Sequence, residues 1–251
     1  MVHINDNTYK AVIALNNSGV TLLQHGRYME GLLTLKDALV LMKHSLQPDN
    51  ASSVSLLQQQ DQVDVALQGA WHRSSQVHEE KFASQDADIV VVTDQDNPFE
   101  VYNTIERNPG TLCCVKIDPM EWESYCPDSE KFNIESSIIM YNHGVAHLLA
   151  SVLSPTSGDD VVDMCTQTSY HLFELAQNVI DMHLTSADEF HVPSNMLLLA
   201  MLTSTCMYQL SIPTQRGRAT TNLICLEWIL TTIITQERLN TMLSPSAAAC
   251  A

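Results

Sequence analysis

The sequence predicts a mostly α-helical domain of antiparallel helical hairpins, about three of them, with a β-hairpin inserted between the first and second pairs. Three observations lead there. Apolar residues recur at helical spacing in paired segments. An Asn-x-Gly step at Asn17 and Gly19 returns at Asn142 and Gly144. Between those segments the chain changes character, with the β-branched run Ile89-Val90-Val91-Val92 and the turn signal Asn108-Pro109-Gly110.

The first pair spans 8–46. Val12, Leu15, Gly19, Leu22 and Leu23 form one helical stripe, and Leu32, Leu35, Ala38, Leu39 and Met42 a second. Between them, Gln24-His25-Gly26-Arg27 reads as a turn, in which Gly26 takes the left-handed conformation that ends a helix. Pro48 and Asp49 stop the second helix. Residues 50–87, rich in Ser, Gln and Asp, read as a mobile linker with a transient helix around 56–67. The β insertion spans 88–118. Its hairpin runs over 99–117, because Pro then Gly suits the centre of a type II turn. An isolated hairpin is marginal in water, so it is expected to lie on the helices, with Ile89 to Thr93 as a third strand.

The second pair spans 134–184. Its first helix carries Asn142 and Gly144, and in its second helix Phe173 and Ala176 match Leu35 and Ala38. The glycine-to-small-residue interval lengthens from 12 positions (Gly19 to Gly31) to 25 (Gly144 to Ser169), which places an exposed loop around Ser154 to Asp160. A third, degenerate pair spans 193–238, and the tail 244–251 reads as disordered. All of this forms one domain over 1–251.

These small residues carry a family resemblance. Gly19, Gly26, Tyr28, Gly31 and Ala38 fall where the tetratricopeptide repeat places its mid-helix small residue, its turn and its second-helix small residues. The chain therefore resembles a tetratricopeptide-repeat (TPR-like) protein, with Gly31 standing where alanine is usual. The resemblance implies helix-packing roles for Gly19, Gly26, Tyr28, Ala38, Gly144, Phe173 and Ala176. It also implies a partner-binding groove lined by Ile13, Asn16, Val20, Leu23 and Gln24 in the first pair and by Ile138, Tyr141, Val145, Leu148 and Leu149 in the second. Repeat domains that clamp carboxylate tails place lysines there; this groove has none and is apolar. The order of elements also resembles that of a group of diatom proteins, a likeness that implies no activity.

Charge narrows the partners. With 29 acidic against 12 basic residues and a net charge of −17, the chain repels nucleic acid and anionic lipid. Thirteen acidic residues stand against four basic ones between His78 and Lys131. The longest apolar stretch, 196–212, is interrupted by polar residues and too short for a membrane span. Seven cysteines without a CxxC spacing fit reduced thiols in the cytoplasm or nucleus.

Chemical motifs are weak. His143 and His147 share a helix face, but no third metal ligand accompanies them. Cys113 and Cys114 on one strand point opposite ways. His78-Glu79-Glu80 lies in the linker, and Arg216 with Arg218 is a lone basic pair. The expectation is a non-catalytic interaction module without metal or cofactor, binding a protein or peptide through the apolar groove unless the chain's own hairpin or third pair fills it. Two alternatives stand beside it. One is an enzyme or ligand-binding protein with a pocket between hairpin and groove, in which Tyr141, Asn142, His143 and Glu174 would converge. The other is a structural subunit of a larger assembly.

Overall fold

The structure, a computed structural model, describes residues 6–45, 53–75, 89–108, 111–118, 129–152, 159–186 and 194–210. Its elements in chain order are α1 (Asp6–Gln24), α2 (Tyr28–Ser45), α3 (Ser53–Ser75), β1 (Ile89–Thr93), α4 (Pro98–Arg107), β2 (Leu112–Lys116), α5 (Ser129–Val152), α6 (Asp159–Ser186) and α7 (Ser194–Leu210). The described chain is mostly helical, with one two-stranded sheet.

The turn between α1 and α2 is closed by backbone geometry. Gly26 sits at φ 76°, where a side chain would be strained. The Arg27 N–H then donates to Leu22 O (2.9 Å) and the Gly26 N–H to Leu23 O (2.9 Å), satisfying the last carbonyls of α1. Helices α1 and α2 fold back on each other, as do α5 and α6. Both pairs meet through the same device. A Cβ on Gly19 would stand 2.6 Å from Leu35 Cγ, and one on Gly144 would stand 2.6 Å from Phe173 Cε1. The glycine of one helix and the large apolar residue of the other therefore interlock in each pair. Gly31 receives Leu23 in the same way. Leu35, Ala38, Phe173 and Ala176 are fully buried, and Tyr28 packs on the core from its edge. Helix α2 then packs on α5, joining the two pairs into one core.

Three sequence expectations need correction. The segment 50–87 is not a linker throughout: 53–75 form a helix of 23 residues. Val63 and Ala70 are buried on it, and Ala66 packs beside them, a stripe narrow enough to be hidden among glutamines. Polar bonds hold α3 in place. Arg73 donates from Nε to Thr34 Oγ1 (2.8 Å) and from Nη2 to Asp37 Oδ2 (2.6 Å), and the Arg73 carbonyl accepts from Arg27 Nη1 (2.6 Å).

The second correction concerns 99–117, which is not a hairpin. Its first half is helix α4. Asn97 caps it, accepting from the Phe99 N–H (2.9 Å), and Pro98 begins its first turn. The strand after α4 pairs instead with Ile89–Thr93. The pairing is parallel, Ile89 opposite Leu112 through Thr93 opposite Lys116. A helical crossover is what parallel pairing requires. Third, the insertion is thus a β-α-β unit. Pro109-Gly110, the second helix of the third pair, the tail and most of the loop expected around Ser154 to Asp160 lie outside the described residues, while Asp159 and Asp160 begin α6.

Helix α7 is buried on nearly every side from Met196 to Met207, and packs on α4, α5 and α6. Among the described residues no helix is long and apolar enough to cross a membrane.

The interlock at Gly144 yields a test. Alanine there gains up to about 1 kcal/mol of helix propensity. It also drives a methyl group into a rigid ring, and such overpacking costs about 1–3 kcal/mol. Gly144→Ala should therefore be net destabilising in urea unfolding; a variant as stable as the parent or more so would show that the ring yields.

Candidate functional site

The most organised polar constellation surrounds β2. Backbone groups of a strand point alternately to its two edges. Asp94 N–H donates to Lys116 O (3.0 Å), so Lys116, Cys114 and Leu112 face β1, and Cys113, Val115 and Ile117 face the helices. Among the described residues that second edge has no partner strand. Side chains take its place. Asn142 Oδ1 accepts the Val115 N–H (2.9 Å) while Asn142 Nδ2 donates to Val115 O (2.7 Å). Two residues on, Asn17 Oδ1 accepts the Ile117 N–H (2.9 Å) while Asn17 Nδ2 donates to Ile117 O (2.8 Å). Each primary amide reproduces the donor and acceptor pair of a neighbouring strand residue.

The constellation extends further. Tyr141 Oη donates to Cys113 O (2.8 Å). Asn16 Nδ2 donates to Val115 O (3.3 Å) and to Asn17 Oδ1 (3.1 Å), and Asn16 Oδ1 accepts from Asn142 Nδ2 (2.9 Å). Asn16, Tyr141 and Asn142 are fully buried. At the other end of the strands, buried Asp94 receives the Asp118 N–H on Oδ1 (2.8 Å); burial raises its carboxyl pKa, and that bond opposes the rise.

The groove residues expected from the resemblance are therefore not an open surface. Asn16 and Tyr141 bond to β2. Ile13, Val20, Leu23, Ile138, Val145 and Leu149 lie in the core, Leu148 is half-buried, and only Gln24 is exposed. Two physical reasons combine: β2 packs on α1 and α5 where a partner would lie, and Leu23 turns instead into α2, against Gly31.

Nor do Tyr141, Asn142, His143 and Glu174 converge. The first two face β2, as described. His143 stacks beside His147 with ring centroids 4.8 Å apart, and Glu174 faces His171 (3.8 Å) at the surface of α6. Burial lowers His143 to about 4, helped by His147 and Lys36, and burial beside Lys36 also lowers His147. Nδ1 of both rings is buried without a hydrogen-bond partner among the described residues. Among those residues no group of three His, Cys, Asp or Glu side chains comes together as metal ligands do.

The thiols behave alike. Burial pushes Cys113 to about 11 and Cys206 to about 12, and raises Cys114 further. Cys206 Sγ lies 3.7 Å from Tyr141 Oη, inside the same apolar region. Such thiols are protonated at neutral pH and are poor nucleophiles. Glu135, buried in α5, is raised to about 8 by the same desolvation.

The open relief lies elsewhere. A trough of about 660 Å³ runs between α2 and α3, floored by Val40, Leu41, Val65 and Ala66 and edged by Asp37 and Asp61. Val65 is 70% exposed. Sequence reading missed this site because α3 reads as a transient helix around 56–67 within a mobile linker; the spacing of Val63, Ala66 and Ala70 was the available signal of a packed helix. Comparison with protein-family models, with curated proteins and with solved structures finds no match for the chain.

Two tests follow from the buried groups. Asn142→Ala would leave the Val115 N–H unpaired in the core, at about 1–3 kcal/mol, and the Val115 carbonyl with only the longer bond from Asn16 Nδ2 (3.3 Å). Asn17→Ala should cost less, since Asn17 is partly exposed and water can replace it. Urea midpoints rank the two, and equal small losses would deny the strand-edge role. Glu135 gives a pH signature. Between its ordinary pKa of 4.5 and about 8 the folded chain holds a proton that the unfolded chain releases, so stability falls as pH rises through that window. Glu135→Gln should flatten the fall between about pH 4.5 and 8 and change little at pH 4; an unchanged profile would place the carboxylate in water.

Proposed function

We propose that this chain is a non-catalytic protein-interaction module of the cytoplasm, a TPR-like adaptor whose docking surface is the α2–α3 trough. The observation that carries this reading is where order and exposure fall. The buried polar groups around β2 are occupied in holding the strand, and the shifted titratable groups all favour their neutral forms. A general acid or base needs a pKa tuned to a substrate that can reach it, and these groups face the interior. The matching interlocks at Gly19 and Gly144 support the repeat-like reading of the two pairs. Free Cys113, Cys114, Cys165 and Cys206 suit a reducing compartment.

The trough favours one kind of partner: an amphipathic helix with an apolar stripe and flanking lysines or arginines. Val40 and Val65 offer apolar contact along it. Arg73 is already engaged by Asp37 and Thr34, so Asp61 is the charge left to meet a cation. A net charge of −17 draws in a basic segment and repels a second copy of the chain. Helix-in-groove recognition rests on such apolar anchors, with charge setting orientation.

A fluorescent Leu/Lys amphipathic helix of about five turns is a suitable probe. Val40→Ser with Val65→Ser removes the apolar floor without altering charge. Affinity for the probe should fall about tenfold or more while the thermal midpoint stays within a few degrees, because Val65 is 70% and Val40 45% exposed. Equal binding by parent and double variant would reduce the interaction to bulk charge and reject the trough. Val20→Glu and Val145→Glu, by contrast, should unfold the chain, since both are fully buried.

A further inference from the structure

The two edges of the sheet are treated differently. The helix-side edge of β2 is filled by asparagine amides. On β1, the pairing and the Asp94–Lys116 bond turn Val90 and Val92 toward β2, so the backbone groups of Ile89 and Val91 point outward. The end of that outer edge is closed. Asp96 Oδ2 accepts the Thr93 N–H (2.7 Å), and the Asp96 N–H donates to Thr93 O (3.1 Å). Ile89 and Val91 have no such partner among the described residues. An open, β-branched edge is a template for another strand.

Directly beside this edge, β1 and α4 enclose a cavity of about 230 Å³. Val90, Val92 and Val101 supply its apolar wall, and Asp96, Glu100 and Thr104 its polar one. No β2 residue lines it, so it is formed by β1, α4 and the turn between them. It contains two carboxylates and no cation. A lysine or arginine fits those walls, with its methylene stem along the valines and its charged head at Asp96 and Glu100. We propose that β1 accepts an extended peptide carrying a lysine or arginine, which adds as an edge strand to Ile89 and Val91 and seats its basic side chain in this cavity.

Strand addition divides the work in the usual way. Main-chain bonds at Ile89 and Val91 hold any extended peptide, and the cavity selects the side chain that points toward α4. The acidic excess of the 78–131 region draws in the same sign of partner. This edge is separate from the α2–α3 trough, so either surface can fail without the other.

The probe is an acetylated, amidated Thr-Val-Lys-Val-Thr peptide, added to the isotope-labelled full chain. On saturation, amide exchange at Val91 should slow by about tenfold or more relative to the core amides of α5, while Val115, already bonded to Asn142, should slow only as much as those core amides do when bound peptide stabilises the whole fold. A peptide with glutamate in place of lysine, or one N-methylated on alternate residues, should give no protection. Glu100→Lys should weaken binding of the lysine peptide about tenfold, with no loss of fold because Glu100 is exposed. The proposal is overturned if Val91 exchange is unaffected at millimolar peptide. It is equally overturned if the glutamate peptide protects as well as the lysine peptide, or if the perturbed amides lie only along α2 and α3.

Discussion

Everything in this chain depends on how β2 is held. A two-stranded parallel sheet has two open edges, and burying either one in a helical core leaves N–H and C=O groups that water cannot reach. Each such group costs about 1–3 kcal/mol if unmet. Here the inner edge is met by Asn17 from α1 and Asn142 from α5, each bonding both backbone groups of one strand residue. Asn16 links the two sides by accepting from Asn142 and donating to Asn17. The strand is thus bonded to both helix pairs at once, and this network ties the insertion to the two pairs that α2 and α5 join.

That constraint explains the Asn-x-Gly recurrence. Within each step the two residues do different work. The glycine admits a large side chain from the following helix, Leu35 in one pair and Phe173 in the other. The asparagine, two positions earlier, faces the strand. A repeated sequence step therefore produces a repeated packing contact and a repeated amide clamp. Because β2 occupies the inner surface of α1 and α5, the open relief lies outward, in the trough beside α3 and along the β1 edge that no described residue pairs. The interior titratable groups follow from the same closure: desolvation holds Glu135, His143 and the thiols neutral.

How much of this was legible depended on range. The helix pairs were readable because a 3.6-residue period and a left-handed glycine are local signals, and Gly26 adopts that conformation. Helix α3 was obscured because its buried stripe is only Val63, Ala66 and Ala70 among glutamines and serines. Helix α4 was misread because Pro109-Gly110 outweighed a better local signal, the Asn97-Pro98 cap with Glu100 in the first turn. Parallel pairing of β1 with β2 then follows from the helix between them. The asparagine clamp had no local signature at all. Asn17 and Ile117 are 100 positions apart, so nothing in either neighbourhood announces the bond. Only the recurrence of Asn with Gly hinted that the amide had a task beyond helix packing.

The central claim is that the inner edge of β2 is sealed by side-chain amides as securely as by a strand. Native-state amide hydrogen exchange at Val115 and Ile117 tests it most directly. If the account holds, the Val115 N–H exchanges only on global unfolding, as slowly as the core amides of α5, with Ile117 close behind. Exchange at Val115 orders of magnitude faster than in α5, under conditions where the fold is intact, would contradict it.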